Sequence, residues 1–187
     1  MRSNEPIDFG VTPPGKAAWV TLVALGIVIP AVLIGAIMAF DPAELRKLAE
    51  AAPILIISLL LLPALGALMW RRSVRLDDGV LVIKAAFYTQ RIPASDIEVA
   101  AARVLDLDEH TEYRPVKANG YALPGFFAGH FRNARQIKQK FFCLLTDRRR
   151  VLVLPERSGR TLLLSLERPQ ALLDALRRNA APATGRR

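Results

Sequence analysis

Two apolar runs near the N-terminus, residues 17–40 and 51–70, contain no ionisable side chain over 24 and 20 consecutive positions. As α-helices rising 1.5 Å per residue they would reach about 36 and 30 Å, against a hydrocarbon core of about 30 Å. A helix satisfies its own backbone N–H and C=O groups, which is what lipid demands of a spanning segment. A pair of buried core helices in a water-soluble domain is the alternative, but such helices normally keep a polar stripe. The runs therefore predict a two-helix transmembrane hairpin over 17–70. The first run is too long for the apolar region of a cleaved signal peptide, so it is expected to stay as an anchor.

Cations give the hairpin an expected direction. Arg2 and Lys16 precede it and Arg71, Arg72 and Arg75 follow it, whereas the link 41–50 holds only Arg46 and Lys47. That bias places both ends on the cytoplasmic side of a cell membrane. Trp19 and Trp70 fall at the two inner interfaces, where indole rings are favoured. Pro30 and Pro63 interrupt the helical hydrogen bonding and predict kinks. Ala31, Gly35 and Ala39 recur every four residues, a stripe that allows close helix approach within the hairpin or to another protomer. Neither run contains an acid, base or histidine, so no ion pathway is expected in this hairpin alone.

Beyond Arg71 the composition is that of a soluble domain. Residues 71–187 carry 22 Lys plus Arg against 12 Asp plus Glu, so the formal +9 of the chain resides there. Such an excess beside a bilayer attracts anionic headgroups, and it equally serves topology and solubility. The one cysteine, Cys143, excludes an internal disulfide and lies in an apolar run, as a small buried hydrophobe would.

Short apolar segments separated by turn residues predict strands over 74–76, 80–83, 87–92, 97–105, 126–131, 141–146, 151–154 and 161–164. Asp78-Gly79 is the strongest hairpin turn among them. Leu172, Leu173 and Leu176, after Pro169, predict one amphipathic helix, with Arg177 and Arg178 at its C-terminal end. The reading is an antiparallel β-domain of about seven strands over 71–179, closed by that helix, after a cytoplasmic segment 1–16 and the hairpin. A disordered basic tail over 180–187 completes it.

Three ordered blocks carry a resemblance: GYALPGFFAGHF (120–131), FFCLLTDRRRVLVLP (141–155) and LLLSLERPQALLDAL (162–176). Together they resemble the bacterial pleckstrin-homology-like domains that follow a pair of membrane helices. The resemblance implies a bent seven-stranded antiparallel barrel capped by the C-terminal helix. It brings no activity and no catalytic residue. Leu166 stands where a proline would be expected after the serine.

No motif for catalysis is present. His110 lies in an acidic stretch, 106–112, without recognisable metal-ligand spacing, and His130 lies in an expected strand. Gly120, Gly125 and Gly129 do not match a phosphate-binding loop. The expectation is a non-enzyme without metal or cofactor. Its candidate headgroup contacts are Arg71, Arg72, Arg132, Arg135, Arg148, Arg149 and Arg150, and its candidate helix-packing residues are Ala31, Gly35 and Ala39. The aromatics read as buried, which argues against nucleic-acid binding. The sequence thus predicts an integral, membrane-anchored interaction module at the inner leaflet, binding protein or anionic-lipid partners. The alternative is an accessory subunit of a transport or envelope-assembly complex, acting through its helices on a membrane protein partner or as a homo-oligomer.

Overall fold

A computed structural model describes residues 6–40 and 45–180. The expected link tip at 41–44 and the basic tail at 181–187 lie outside these residues, as does the side chain of Ala39. A short strand β1 (Ile7–Phe9) leads into helix α1 (Lys16–Val23), a wider π turn (Ala24–Val28) and helix α2 (Ile29–Phe40); helix α3 is Leu45–Trp70. The π turn has a physical cause. Pro30 cannot donate to the helical ladder and crowds the preceding turn, and just before it Ile29 N–H reaches back five residues to the Ala24 carbonyl. A widened turn at this place absorbs the proline.

Among the described residues, one helical stretch, Lys16–Ala36, is long and apolar enough to cross a membrane by length and composition, and little of it is buried. Val32 is 64% exposed and, on α3, Leu60 is 66% exposed. The two rods meet where glycine permits it. A side chain at Gly26 would overlap Leu62, and Gly66 faces Leu22 and Trp19.

The β-domain follows α3 without a linker, and the element order is β2 (Arg72–Asp77), β3 (Val80–Ala85), β4 (Tyr88–Pro93), β5 (Arg103–Leu105), β6 (Pro115–Leu123), β7 (Phe126–Asn133), β8 (Lys140–Leu145), β9 (Val151–Pro155), β10 (Thr161–Ser165) and α4 (Pro169–Ala180). The strands form a four-stranded sheet, β1-β2-β3-β4, and a six-stranded sheet, β5-β9-β10-β8-β7-β6. The mainly-β character agrees with the sequence reading. The count is ten strands among the described residues rather than seven, and β8 and β10 run parallel. Of the expected strand 97–105, only Arg103–Leu105 is a strand; tight 3₁₀ turns at Ala94–Asp96 and Val99–Ala101 occupy that region.

Burial explains why β8, β9 and β10 read as unbroken apolar runs: both faces of their sheet are covered. Phe142, Leu144, Leu152, Leu154, Leu162 and Leu164 enter the main core with Val74, Leu81, Ile83 and the Leu172, Leu173 and Leu176 face of α4. Phe141, Cys143, Leu145, Val151, Val153 and Leu163 enter a second core on the opposite face. The segment after β5 covers that face through Leu107 and through Tyr113, which stacks on Phe141.

The hairpin is rooted in the main core. Ala18, Leu22 and Met69 are buried in it. Phe9 of β1 pairs with Val74 of β2, so the chain before α1 and the chain after α3 lie side by side. Arg71 N–H still bonds back to Ala67 and Leu68, and β2 begins at the next residue.

Candidate functional site

The domain has two ends, set by the register of β6 and β7. Leu123 pairs with Phe126 at one end and Pro115 with Asn133 at the other. At the first end Gly125 lies against Ala17 and Ala18 of α1, and Tyr121 donates to the Leu65 carbonyl of α3 at 3.5 Å. This is the hairpin end. The eight residues of β7 separate the ends by about 23 Å at 3.3 Å per step.

Four turns crowd the hairpin end, among them Leu107–Glu109, whose Leu107 N–H bonds to the Arg148 carbonyl at 2.8 Å. The β3–β4 turn is held there because Ala86 N–H bonds to the Arg71 carbonyl at 3.0 Å. The β6–β7 turn carries Leu123, Pro124 and Gly125. The β8–β9 turn, Thr146 to Arg150, follows Leu145, which pairs with Phe127 near the start of β7. That last turn is organised by Ser165, which is fully buried. Its hydroxyl donates to the Asp147 carbonyl at 2.6 Å and accepts from the N–H groups of Thr146 and Asp147 at 3.2 and 3.3 Å. Two blocks separate in sequence, Thr-Asp-Arg and the serine before Pro169, are therefore one structural unit. Thr12 N–H bonds to the Ser165 carbonyl, which ties the same unit to the chain entering α1.

The seven candidate arginines are divided by this geometry. Arg71, Arg72, Arg148, Arg149 and Arg150 share the hairpin end. Arg132 and Arg135 sit at the far end, where Arg132 lies directly opposite Lys140 across β7–β8. Within the first group, Arg72 folds back to donate to the Met69 carbonyl at 2.7 Å, a cation closing the C-terminal end of α3; burial lowers its pKa. Arg148 pairs with Asp108 at 2.8 Å. Arg71, Arg149 and Arg150 remain exposed. Arg135 is engaged at the far end with the Thr111 hydroxyl at 2.7 Å.

Of the helix-packing candidates, Ala31 is exposed and Gly35 has open space where a side chain would be. The close approach within the hairpin is made by Gly26 and Gly66 instead. Trp19 and Trp70 do lie level with each other, their ring centroids 6.1 Å apart.

The far end holds a polar network between the sheets. Glu156 is buried, with one carboxylate oxygen accepting from Arg160 Nε at 2.9 Å and the other from Ser158 at 3.0 Å. Arg160 reaches Gln90 of β4 at 3.1 Å. His130 packs edge-on against Tyr88 and Phe142; burial lowers its pKa, and the Arg160 charge lowers it further. Gly129 (φ 110°) permits this packing, since a Cβ there would come within 2.6 Å of the Tyr88 ring. These contacts are occupied structurally and present no nucleophile–base pair. Burial pushes the Cys143 thiol well up, away from a reactive thiolate. In the acidic stretch, His110 Nδ1 lies 2.9 Å from the Asp106 carbonyl and Asp108 takes Arg148. Among the described residues no group of three His, Cys, Asp or Glu side chains is placed to hold a metal ion.

Comparison of the chain with protein-family models, with curated proteins and with solved structures finds no match.

Proposed function

We propose that this protein is a non-catalytic interaction module carried by a two-span hairpin, with a pleckstrin-homology-like β-domain held at the inner leaflet and both termini cytoplasmic. The observation that carries the reading is the root of the hairpin: apolar rods leave the domain core at the end where Arg71, Arg149 and Arg150 are exposed. Cations level with the end of a spanning helix meet anionic headgroups at about 1 kcal/mol each. Arg72 and Arg148 act indirectly, by closing α3 and by fixing the β8–β9 turn. Arg132 and Arg135, about 23 Å away along β7, lie beyond about two Debye lengths of that surface at physiological salt.

The test uses the full chain in bilayer nanodiscs containing spin-labelled phosphatidylglycerol or phosphatidylcholine. Replacing Arg71, Arg149 and Arg150 by Ser should reduce the preference for phosphatidylglycerol. Replacing Arg132 and Arg135 by Ser should leave it unchanged. An unaltered preference in the first variant rejects the headgroup role.

The exposed Ala31 and open Gly35 favour a second reading, an accessory subunit that packs a partner's helix on α2. Gly35→Leu would then abolish co-purification of that partner in mild detergent, whereas the headgroup reading predicts no change.

A further inference from the structure

We propose that the β-domain is partly sunk in the leaflet: the Ala86–Phe87 turn and the Leu123–Gly125 turn insert into the headgroup–acyl boundary beside the hairpin. This rests on the membrane reading above and goes beyond it, because the domain then contacts lipid through its own apolar turns as well as through arginines.

The turns at the two ends of the domain differ in kind. At the far end they are Asp78-Gly79, the polar stretch from Asn133 to Gln139, interrupted by Ile137, and Ser158-Gly159. At the hairpin end two of four are apolar, Ala86-Phe87 and Leu123-Pro124-Gly125, with Phe87 and Pro124 exposed; the Thr146–Arg150 turn is cationic, and the acidic 107–109 turn is bonded to it through Leu107 N–H and Asp108. Water-facing hairpin turns favour Asn, Asp and Gly, and β2–β3 obeys that rule with Asp78 and Gly79 at φ 44° and 77°. The β3–β4 turn breaks it. Ala86 occupies the left-handed region at φ 51°, which favours glycine, and the next residue is a phenylalanine that is 60% exposed. The hydrogen bond from Ala86 N–H to the Arg71 carbonyl fixes this ring one residue beyond the end of α3. Trp70, at that end, is itself 71% exposed.

The second turn stands beside the start of α1, and the strand that leads to it touches α3 further along. Tyr121 reaches Leu65, five residues before the end of α3, which at 1.5 Å per residue is about 7 Å further up the rod. Gly125 lies against Ala17 and Ala18, and Pro124 at the tip is exposed. If α1 and α3 enter lipid at the Trp19–Trp70 level, Gly125, against Ala17 and Ala18, lies one to two residues on the domain side of it, within about 3 Å, and the Tyr121 hydroxyl reaches above it. An apolar body with a polar neighbour suits that layer, where interfacial segments bury their apolar side by about 5–10 Å. Arg149 and Arg150 on the third turn supply the cationic rim. The glycine-rich aromatic block of the sequence thereby gains a role: it builds the hairpin whose tip enters the leaflet.

The inference is tested on the full chain in liposomes of phosphatidylcholine and phosphatidylglycerol. An environment-sensitive nitrobenzoxadiazole label is attached to single introduced cysteines, Phe87→Cys, Pro124→Cys, Asp78→Cys, Ser158→Cys and Val28→Cys. Cys143, fully buried with its thiol pKa raised, stays unlabelled in the folded protein. Labels at 87 and 124 should give blue-shifted emission, quenched by lipids spin-labelled near the top of the acyl chain. Labels at 78 and 158 should emit as in water. The two turns are read independently, so a misfolded variant at one leaves the other decisive. Water-like emission at both 87 and 124 with a lipid-like Val28 overturns the insertion and leaves the spanning reading standing. Water-like emission at all five positions overturns both.

Discussion

Ser165 shows how one buried hydroxyl can hold together parts of the chain that are far apart in sequence. It bonds three backbone groups of the 146–147 turn, and its own carbonyl takes the Thr12 N–H. Ser165→Ala leaves the buried Thr146 N–H and the part-buried Asp147 groups without this partner, at a cost of about 1–3 kcal/mol. The loss is read as a lowered unfolding midpoint in detergent micelles, and an unchanged midpoint contradicts this account of the turn. His130 gives the molecule a pH dependence of defined sign. Its folded pKa is depressed below the ordinary 6.5, first by burial and then by Arg160. As the pH falls the unfolded chain therefore takes up the proton first. The stability tied to His130 is complete above about pH 6.5 and declines as the pH drops through 6.5 toward the lower folded value. His130→Phe should flatten that part of the stability profile, measured by thermal unfolding between neutral and mildly acidic pH. A profile unaltered by the substitution removes His130 as its source.

At the scale of elements, the hairpin is defined by its glycines. Gly26→Leu forces a side chain into Leu62 and should part α1 from α3, while Gly35→Leu projects into open space and should not disturb that contact. Disulfide formation between cysteines introduced at Leu22 and Gly66, which face each other, reports the difference: lost with Gly26→Leu, retained with Gly35→Leu. The sequence made the helices legible because a run of twenty apolar residues has few competing explanations. It did not distinguish Gly26 and Gly66 from Gly35, since small residues are common in such runs and only the rotation of one rod against the other decides which of them touch. The strands divide in the same way. β2 to β4 and β7 to β10 were legible from apolar runs bounded by turns. β6 was not, because Lys117, Asn119 and Gly120 sit on an exposed edge strand with a register irregularity at 117–119 and almost no alternation to read. β1 was missed because three residues carry no periodicity; the pairing with β2 exists only once the hairpin returns the chain.

For the whole molecule, what matters is which end of the domain carries the rods. The cations could be counted in the sequence, but their division between two ends could not. It follows from strand register, which places Arg149 and Arg150 at the hairpin end and Arg132 at the opposite end of β7. The absence of a linker was legible from Trp70-Arg71-Arg72; the depth of the root was not, because Ala18, Leu22 and Met69 look like any other apolar residues of their runs. Ala18, Leu22 and Met69 root the rods in the main core, so on the proposed membrane reading lipid around the rods would orient the domain. The most direct measurement is site-directed spin labelling at Val28, Val32 and Leu60 in the full chain reconstituted in a bilayer, comparing collision with oxygen and with a polar nickel chelate. Rods embedded in lipid give high oxygen and low chelate accessibility at all three positions, with depth greatest toward the bilayer centre. High chelate accessibility there, as for a rod in water, would contradict that embedding.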